Sequence, residues 1–203
     1  MHIALGRANA NKVLFRFLKQ ITNQMGFRLS SIEGGSLRNA IPREAFAFGT
    51  LPDGKVGDLK AEINAFERIV KAELSVVEPD MEVGFETINT PATVMDMQTQ
   101  KNLINAIYAC PNGVIRMSDA MPGLVETSTN LAIVKSANGK IEVCSLMRSS
   151  VDSAKDNLGE MIASVFEMAG AKVWFDGTYP GWKPNPDSEI LKLSQELYNN
   201  KYG

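Results

Sequence analysis

Two side chains in this sequence are of the kinds that take hold of a carboxylate or a carbonyl oxygen, and each stands where an apolar run meets a turn. Asn39 lies in "GGSLRNAIPREAF", residues 34–46. Pro42 fixes its own φ and pushes Ile41 to an extended conformation, so an amide at Asn39 would be held in a set shape, offering two donors and an acceptor. The same amide could instead bond neighbouring backbone within the turn. Arg148 ends the apolar run "KIEVCSLMR". A guanidinium there can clamp a carboxylate through two parallel bonds, or else form a surface ion pair or lie along apolar surface. Ser149, Ser150 and Ser153 follow it and serve either as hydroxyl donors or as helix caps.

The complementary chemistry is missing. The one histidine is His2, next to the start of the chain. A zinc site needs three or four His, Cys, Asp or Glu ligands, and neither an HExxH nor a CxxC pattern occurs. A nucleophilic triad built on His2 would rest on a chain terminus. Arg116, Ser118 and Asp119 form a polar cluster at a turn in "GVIRMSDAMPG". Tyr179 to Trp182, "YPGW", could wall a pocket or pack a loop onto a neighbouring domain. An amide, a guanidinium and aromatics without a metal ligand or general base amount to a carboxylate-binding surface rather than a complete active site.

The elements that must position these residues are legible in the periodicity. Val13, Leu14, Phe17, Leu18, Ile21 and Met25 predict a helix from Asn11 to Met25, with Asn9 or Asn11 as cap and Gly26 as stop. Alternation from Phe27 to Ile32 predicts a strand. The Gly34-Gly35 turn follows, then a strand through Phe46 and Phe48. Val56, Leu59, Ile63, Phe66 and Val70 predict a second helix, to about Leu74. "MEVGFETI" reads as a strand, and a weaker helix through Leu103 and Ile107 stops at Pro111.

In the second half, "NGVIRM" reads as a short strand. Val125, Thr127, Thr129, Leu131 and Ile133 should share one face of a long strand, and Ile141, Val143, Ser145 and Met147 one face of its return. Asn138-Gly139 is the hairpin signal between them. Ser153-x-x-Asp156 resembles a capping box for a helix whose inner stripe is Leu158, Ile162, Val165 and Ala169. "AKVWF" reads as a last strand, "GTYPGWKPNPDS" as a loop, and Ser188 as the cap of a final helix. Helix, two strands, helix, strand, then helix, strands, helix, strand predicts an α+β fold. It would consist of an antiparallel sheet with helices on one face, in two ferredoxin-like halves each short of a first strand.

Composition narrows the classes. A chain of 203 residues with 44% apolar and 22% charged content buries a core without staples and is not disordered. A net charge of −2 with no basic block argues against a nucleic-acid surface. Cys110 and Cys144 are too few for a disulfide framework and read as buried thiols in a reducing compartment. No apolar run is long enough to span a bilayer, and the start lacks the pattern of a signal peptide. The expectation is a cytoplasmic protein.

Several of these blocks also carry a resemblance. "GRANANK", "GGSLRNAIPREAF", "PNGVIRMSD", "VETSTNLAIV", "CSLMRSSVDSAKD" and "AGAKVWFDGTYPGWKPNPDS", in this order, resemble the Xaa-His (aminoacylhistidine) dipeptidases of the zinc-dependent aminoacylase and carboxypeptidase family. That resemblance implies a catalytic domain binding two zinc ions, with a lid or dimerisation domain inserted in it. This chain would be the lid over residues 1–178, in halves of about 1–90 and 91–178. Residues 179–203 would be the return linker and first helix of the last catalytic segment. Zinc ligands and the catalytic glutamate would lie outside the chain, so the fragment alone would be inactive and would hold no cofactor. The implied activity is hydrolysis of dipeptides such as aminoacyl-histidine by a zinc-activated water.

By resemblance, Asn39 binds substrate or the developing oxyanion, and Arg148 binds the substrate's free carboxylate. The implied partners are the dipeptide, the catalytic domain of the same chain and a second copy in a homodimer, with no nucleic acid or membrane. The resemblance leaves the roles of Tyr179, Trp182, Arg116 and Asp119 open. An alternative is a stand-alone ferredoxin-like binding or dimerisation module with no peptidase parent. A third, an independent small enzyme using Arg148 and Asp119, would need turnover by the chain itself.

Overall fold

The computed structural model describes residues 2–185 and 187–202. Pro186, within the loop expected between Gly177 and Ser188, lies outside the described residues.

The first helix, α1 (Ala10–Met25), starts where Asn9 accepts a hydrogen bond from the Lys12 amide and stops at Gly26, whose φ of 71° is left-handed. Its buried stripe is Phe15, Phe17, Leu18, Ile21 and Met25. Val13 and Leu14 sit at the margin of the stripe. β1 (Arg28–Gly34) and β2 (Ala45–Thr50) pair antiparallel. The alternation in β2 puts Ala47 on the core and leaves Phe46 and Phe48 exposed. α2 (Val56–Glu73) buries Leu59, Ile63, Phe66 and Val70, as its periodicity requires. α3 (Met97–Ala109) is capped by Asp96, which accepts from the amides of Gln98 and Thr99.

β3 (Gly113–Met117), β4 (Val125–Ala137) and β5 (Lys140–Ser149) complete a five-stranded antiparallel sheet. Asn138 and Gly139, at φ 52° and 70°, join β4 to β5 in the two-residue turn that suits strand twist. β4 is the hub. β5 pairs along one of its edges, while β3 (opposite 125–129) and β1 (opposite 134–135) share the other. The register shifts between Leu131 and Ile133, which inserts Ala132 as a bulge. The predicted single face of β4 therefore ends at Leu131. Beyond the bulge it is Val134, fully buried and paired with Val143, that faces the core, and Ile133 is turned away.

α4 (Asp152–Met168) buries Leu158, Ile162, Ala163 and Phe166 against this sheet. The expected capping box at Ser153 and Asp156 does not form. The cap position is Val151, whose amide donates to Ser149 Oγ at 3.0 Å. α5 (Glu189–Tyr202) buries no residue. One core, running from Phe15 and Leu29 through Ile107 to Leu131 and Leu158, lies between helices and sheet. Among the described residues no helix is long and apolar enough to cross a membrane.

Two expected strands form no ladder. In "MEVGFETI", the Val83 amide is taken by the Glu67 carboxylate at 3.2 Å instead of by a strand. In "AKVWF", Val173 packs on the core and Phe175 lies against Gly159 of α4. In each segment only part of the alternation reaches the core, with Met81, Val83 and Val173 half-buried against it and Phe85, Ile88, Trp174 and Phe175 exposed, and neither segment pairs with a strand.

Candidate functional site

The glycines at the end of β1 are there for contact. A Cβ on Gly34 would stand 1.8 Å from Asn11 Oδ1 of α1, and one on Gly35 (φ +73°) would stand 1.9 Å from the carbonyl oxygen of the bulged Ala132. Only bare backbone fits between α1 and β4 at this point. The chain leaves this contact as a loop. The Ala40 amide bonds the Leu37 carbonyl at 3.2 Å, closing a turn with Arg38 and Asn39 at its middle positions.

The far side of the loop is tied down three times. Asn130 Nδ2 donates to the Ala40 carbonyl at 2.7 Å, the Ala10 amide donates to the Pro42 carbonyl at 3.0 Å, and both terminal nitrogens of Arg43 meet the Glu78 carboxylate at 2.7 Å. Glu78 also accepts from the Ala8 amide and pairs with Arg7. The bonds from Arg43 hold its carboxyl below the usual glutamate range, against the opposing effect of burial.

Asn39 is exposed at the tip of this anchored loop, and among the described residues no side-chain hydrogen bond ties it to the turn. Arg148 is likewise exposed and, among the described residues, has no ion-pair partner. Register fixes which way Arg148 points. Thr129 pairs with Met147, whose sulfur faces Gly159 of α4, so that pair lies on the helix side. Asn130–Leu146 and Ser128–Arg148 alternate with it and lie on the opposite face. Arg148 is therefore one strand spacing and two residues from Asn130, steps of about 5 and 7 Å. Asn130 grips the residue after Asn39. The loop that carries Asn39 and the strand that carries Arg148 are thus linked through Asn130 of β4, and both residues are exposed.

The other candidates fall elsewhere. Arg116 pairs with Asp119 and lies 3.6 Å from Glu126. With Ser118, Ser150, Ser153 and Lys183 they line a polar hollow of about 370 Å³ beyond the end of β5. Tyr179 and Trp182 are both exposed. The turn between them is pinned by backbone: Lys155 Nζ donates to the Tyr179 carbonyl at 2.6 Å, and the Gly181 amide donates to Asp152 at 2.7 Å. Of the two thiols, Cys110 is buried, and burial pushes it up to about 11. Cys144 is only half-buried, contrary to expectation; burial raises it and the charge of Arg38 opposes the rise. Among the described residues no three His, Cys, Asp or Glu side chains gather as a metal centre.

Sequence reasoning named Asn9 only as a helix cap and did not point to Asn112, the buried amide of Asn130 or the buried carboxylate of Glu78. The one local signal was an asparagine in the middle of a strand of β-branched and apolar residues, where that residue is depleted.

Known proteins share this sequence and fold. Residues 1–78 match the peptidase dimerisation domain. The chain is 38% identical over 202 residues to the cytosol non-specific dipeptidase of Escherichia coli (strain K12), covering 100% of this chain and 41% of that protein. The crystal structure of aminoacylhistidine dipeptidase from Vibrio alginolyticus superposes with a TM-score of 0.93 at 43% identity, over 98% of this chain and 40% of that one. The chain thus spans about two-fifths of the length of each relative. In sequence along its whole length, and in fold along nearly all of it, this chain is similar to these two dipeptidases, and its first 78 residues match the peptidase dimerisation domain.

Proposed function

We propose that the chain is the lid and dimerisation segment of a zinc-dependent dipeptidase that cleaves dipeptides such as aminoacyl-histidine. In this reading Arg148 clamps the substrate's free carboxylate and Asn39 hydrogen-bonds the substrate or the oxygen that gains charge as the peptide bond is attacked. The two zinc ions and the base belong to a catalytic domain of the same parent chain, outside these residues. Residues 1–178 form the lid and 179–203 lead back to that domain. The parent is a cytoplasmic homodimer.

The observation that supports the reading is two exposed polar side chains without partners among the described residues, Arg148 on β5 and Asn39 on a loop that Asn130 of the neighbouring β4 anchors. That α5 buries none of its residues supports the return segment, since a helix with Ile190, Leu193 and Leu197 in solvent is suited to packing on a further domain. Arg148→Ala in the full-length enzyme should raise KM and lower kcat/KM by about a hundredfold or more, the scale of losing a charge-bearing transition-state contact. Unchanged kinetics would remove Arg148 from the site.

The alternative, a dimerisation module without a peptidase parent, draws on the outer edge of β2, which pairs with no strand and bears exposed Phe46 and Phe48. Reading the coding sequence on both sides separates the two. Codons for zinc-ligand histidines and carboxylates support the lid, and their absence supports the module.

A further inference from the structure

The carbonyl that follows Asn39 is gripped from inside the sheet. Asn130 is buried in the middle of β4, and both ends of its amide are used. Nδ2 donates to the Ala40 carbonyl at 2.7 Å, and Oδ1 accepts from Asn9 Nδ2 at 3.2 Å. Asn9 is itself fixed. It caps α1, and its Nδ2 also reaches the Leu131 carbonyl at 2.9 Å and Asn112 Oδ1 at 3.0 Å. Asn112 Oδ1 in turn accepts the Leu131 amide at 2.9 Å. These amides fill the stretch of the β4 edge that lies between its partners β1 and β3, where no strand pairs. The network orients Asn130 with its donor end towards the loop. Ala40 then has both backbone polar groups committed, its amide closing the turn and its carbonyl seating that turn on β4. A buried amide is costly unless fully bonded, and Asn130 obtains one of its two partners only from the Asn39 turn.

We propose that Asn130 is a positioning residue. Held by Asn9, it sets through the Ala40 carbonyl where the Asn39 amide stands. This inference rests on the reading of Asn39 as a substrate contact.

A double-mutant cycle in the full-length, zinc-loaded enzyme tests it, with alanyl-histidine as substrate. Asn130→Asp keeps the shape and the acceptor for Asn9 but sets a carboxylate oxygen against the Ala40 carbonyl. The expected result is a tenfold or greater fall in kcat with KM within threefold, and no further fall beyond twofold when Asn130→Asp is added to Asn39→Ala. A loss of folded enzyme would multiply through both backgrounds. Loss of Asn39's placement has nothing left to remove once Asn39 is alanine. Full multiplication, or an Asn130→Asp enzyme as active as the parent, overturns the inference while a defect in Asn39→Ala leaves the underlying reading standing. Unchanged kinetics in Asn39→Ala overturns both. Should Asn130→Asp not fold, Asn130→Ser, smaller and still a hydroxyl donor, enters the same cycle and is read by the same criterion of multiplication.

Discussion

Two arginines leave the same loop and meet two very different carboxylates. Arg43 makes a forked contact at 2.7 Å with Glu78, whose side chain is 6% exposed and which also takes the Ala8 amide. Arg38, five residues earlier, reaches Asp176 at 3.5 Å, with 61% and 72% of the two side chains in water. The first pair welds the return of the loop to the segment before α1. The second is long and well solvated, the sort of surface pair that contributes little. Asn39 lies between them. Its loop is rigid on the side of Pro42 and Arg43 and loosely held on the side of Arg38, so the amide is fixed from behind while its outer side stays accessible.

Three substitutions would break or sharpen this contrast. The largest effect belongs to Gly35→Ala at the root of the loop, where a positive φ and a Cβ at 1.9 Å from the Ala132 carbonyl act together. It should cost on the order of 3–5 kcal/mol in urea denaturation, and a cost under about 1 kcal/mol would show that the seat yields.

Glu78→Gln comes next, at about 1–3 kcal/mol, since it removes the charge from a buried, multiply bonded acceptor. It carries a pH signature. The Glu78 carboxyl sits below its ordinary value of 4.5 when folded. Its contribution is therefore fully present above the unfolded value and is lost as pH falls from there through the folded one. Denaturation from pH 6 down to pH 3 should show the wild type losing its advantage over Glu78→Gln. A constant difference would mean that Glu78 is not ionised in the fold.

The smallest effect should come from Asp176→Asn, within about 0.5 kcal/mol and weakened further by salt. A loss comparable to that of Glu78→Gln would erase the distinction between the two anchors.

The legible parts of the fold were the local ones. The stripes of α1 and α2, the Asn9 cap, the Gly26 stop and the Asn138-Gly139 hairpin each follow from residues within a few positions of one another. What escaped depended on partners distant in sequence. The bulge at Ala132 answers the close approach of Gly35, far upstream, and it rotates Ile133 off the core face. The segments around Val83 and Phe175 have strand-like alternation, but pairing needs an edge in register, which alternation alone does not supply. For the site, Asn39 and Arg148 were nameable through resemblance while their side-chain types left other roles open. Asn130 went unread because its partners are 90 and 121 residues away.

The exposed helix α5 has a consequence of its own. A 14-residue helix with none of its side chains buried draws no tertiary support, and isolated helices of this length are marginal in water. Its amides should exchange with deuterated solvent on the timescale of local fraying, while those of α1 wait for the whole core to open. Among the described residues the last hydrogen bond from this end of the chain back to the domain is the one from the Gly181 amide to Asp152, and the cooperative unit is expected to end soon after it.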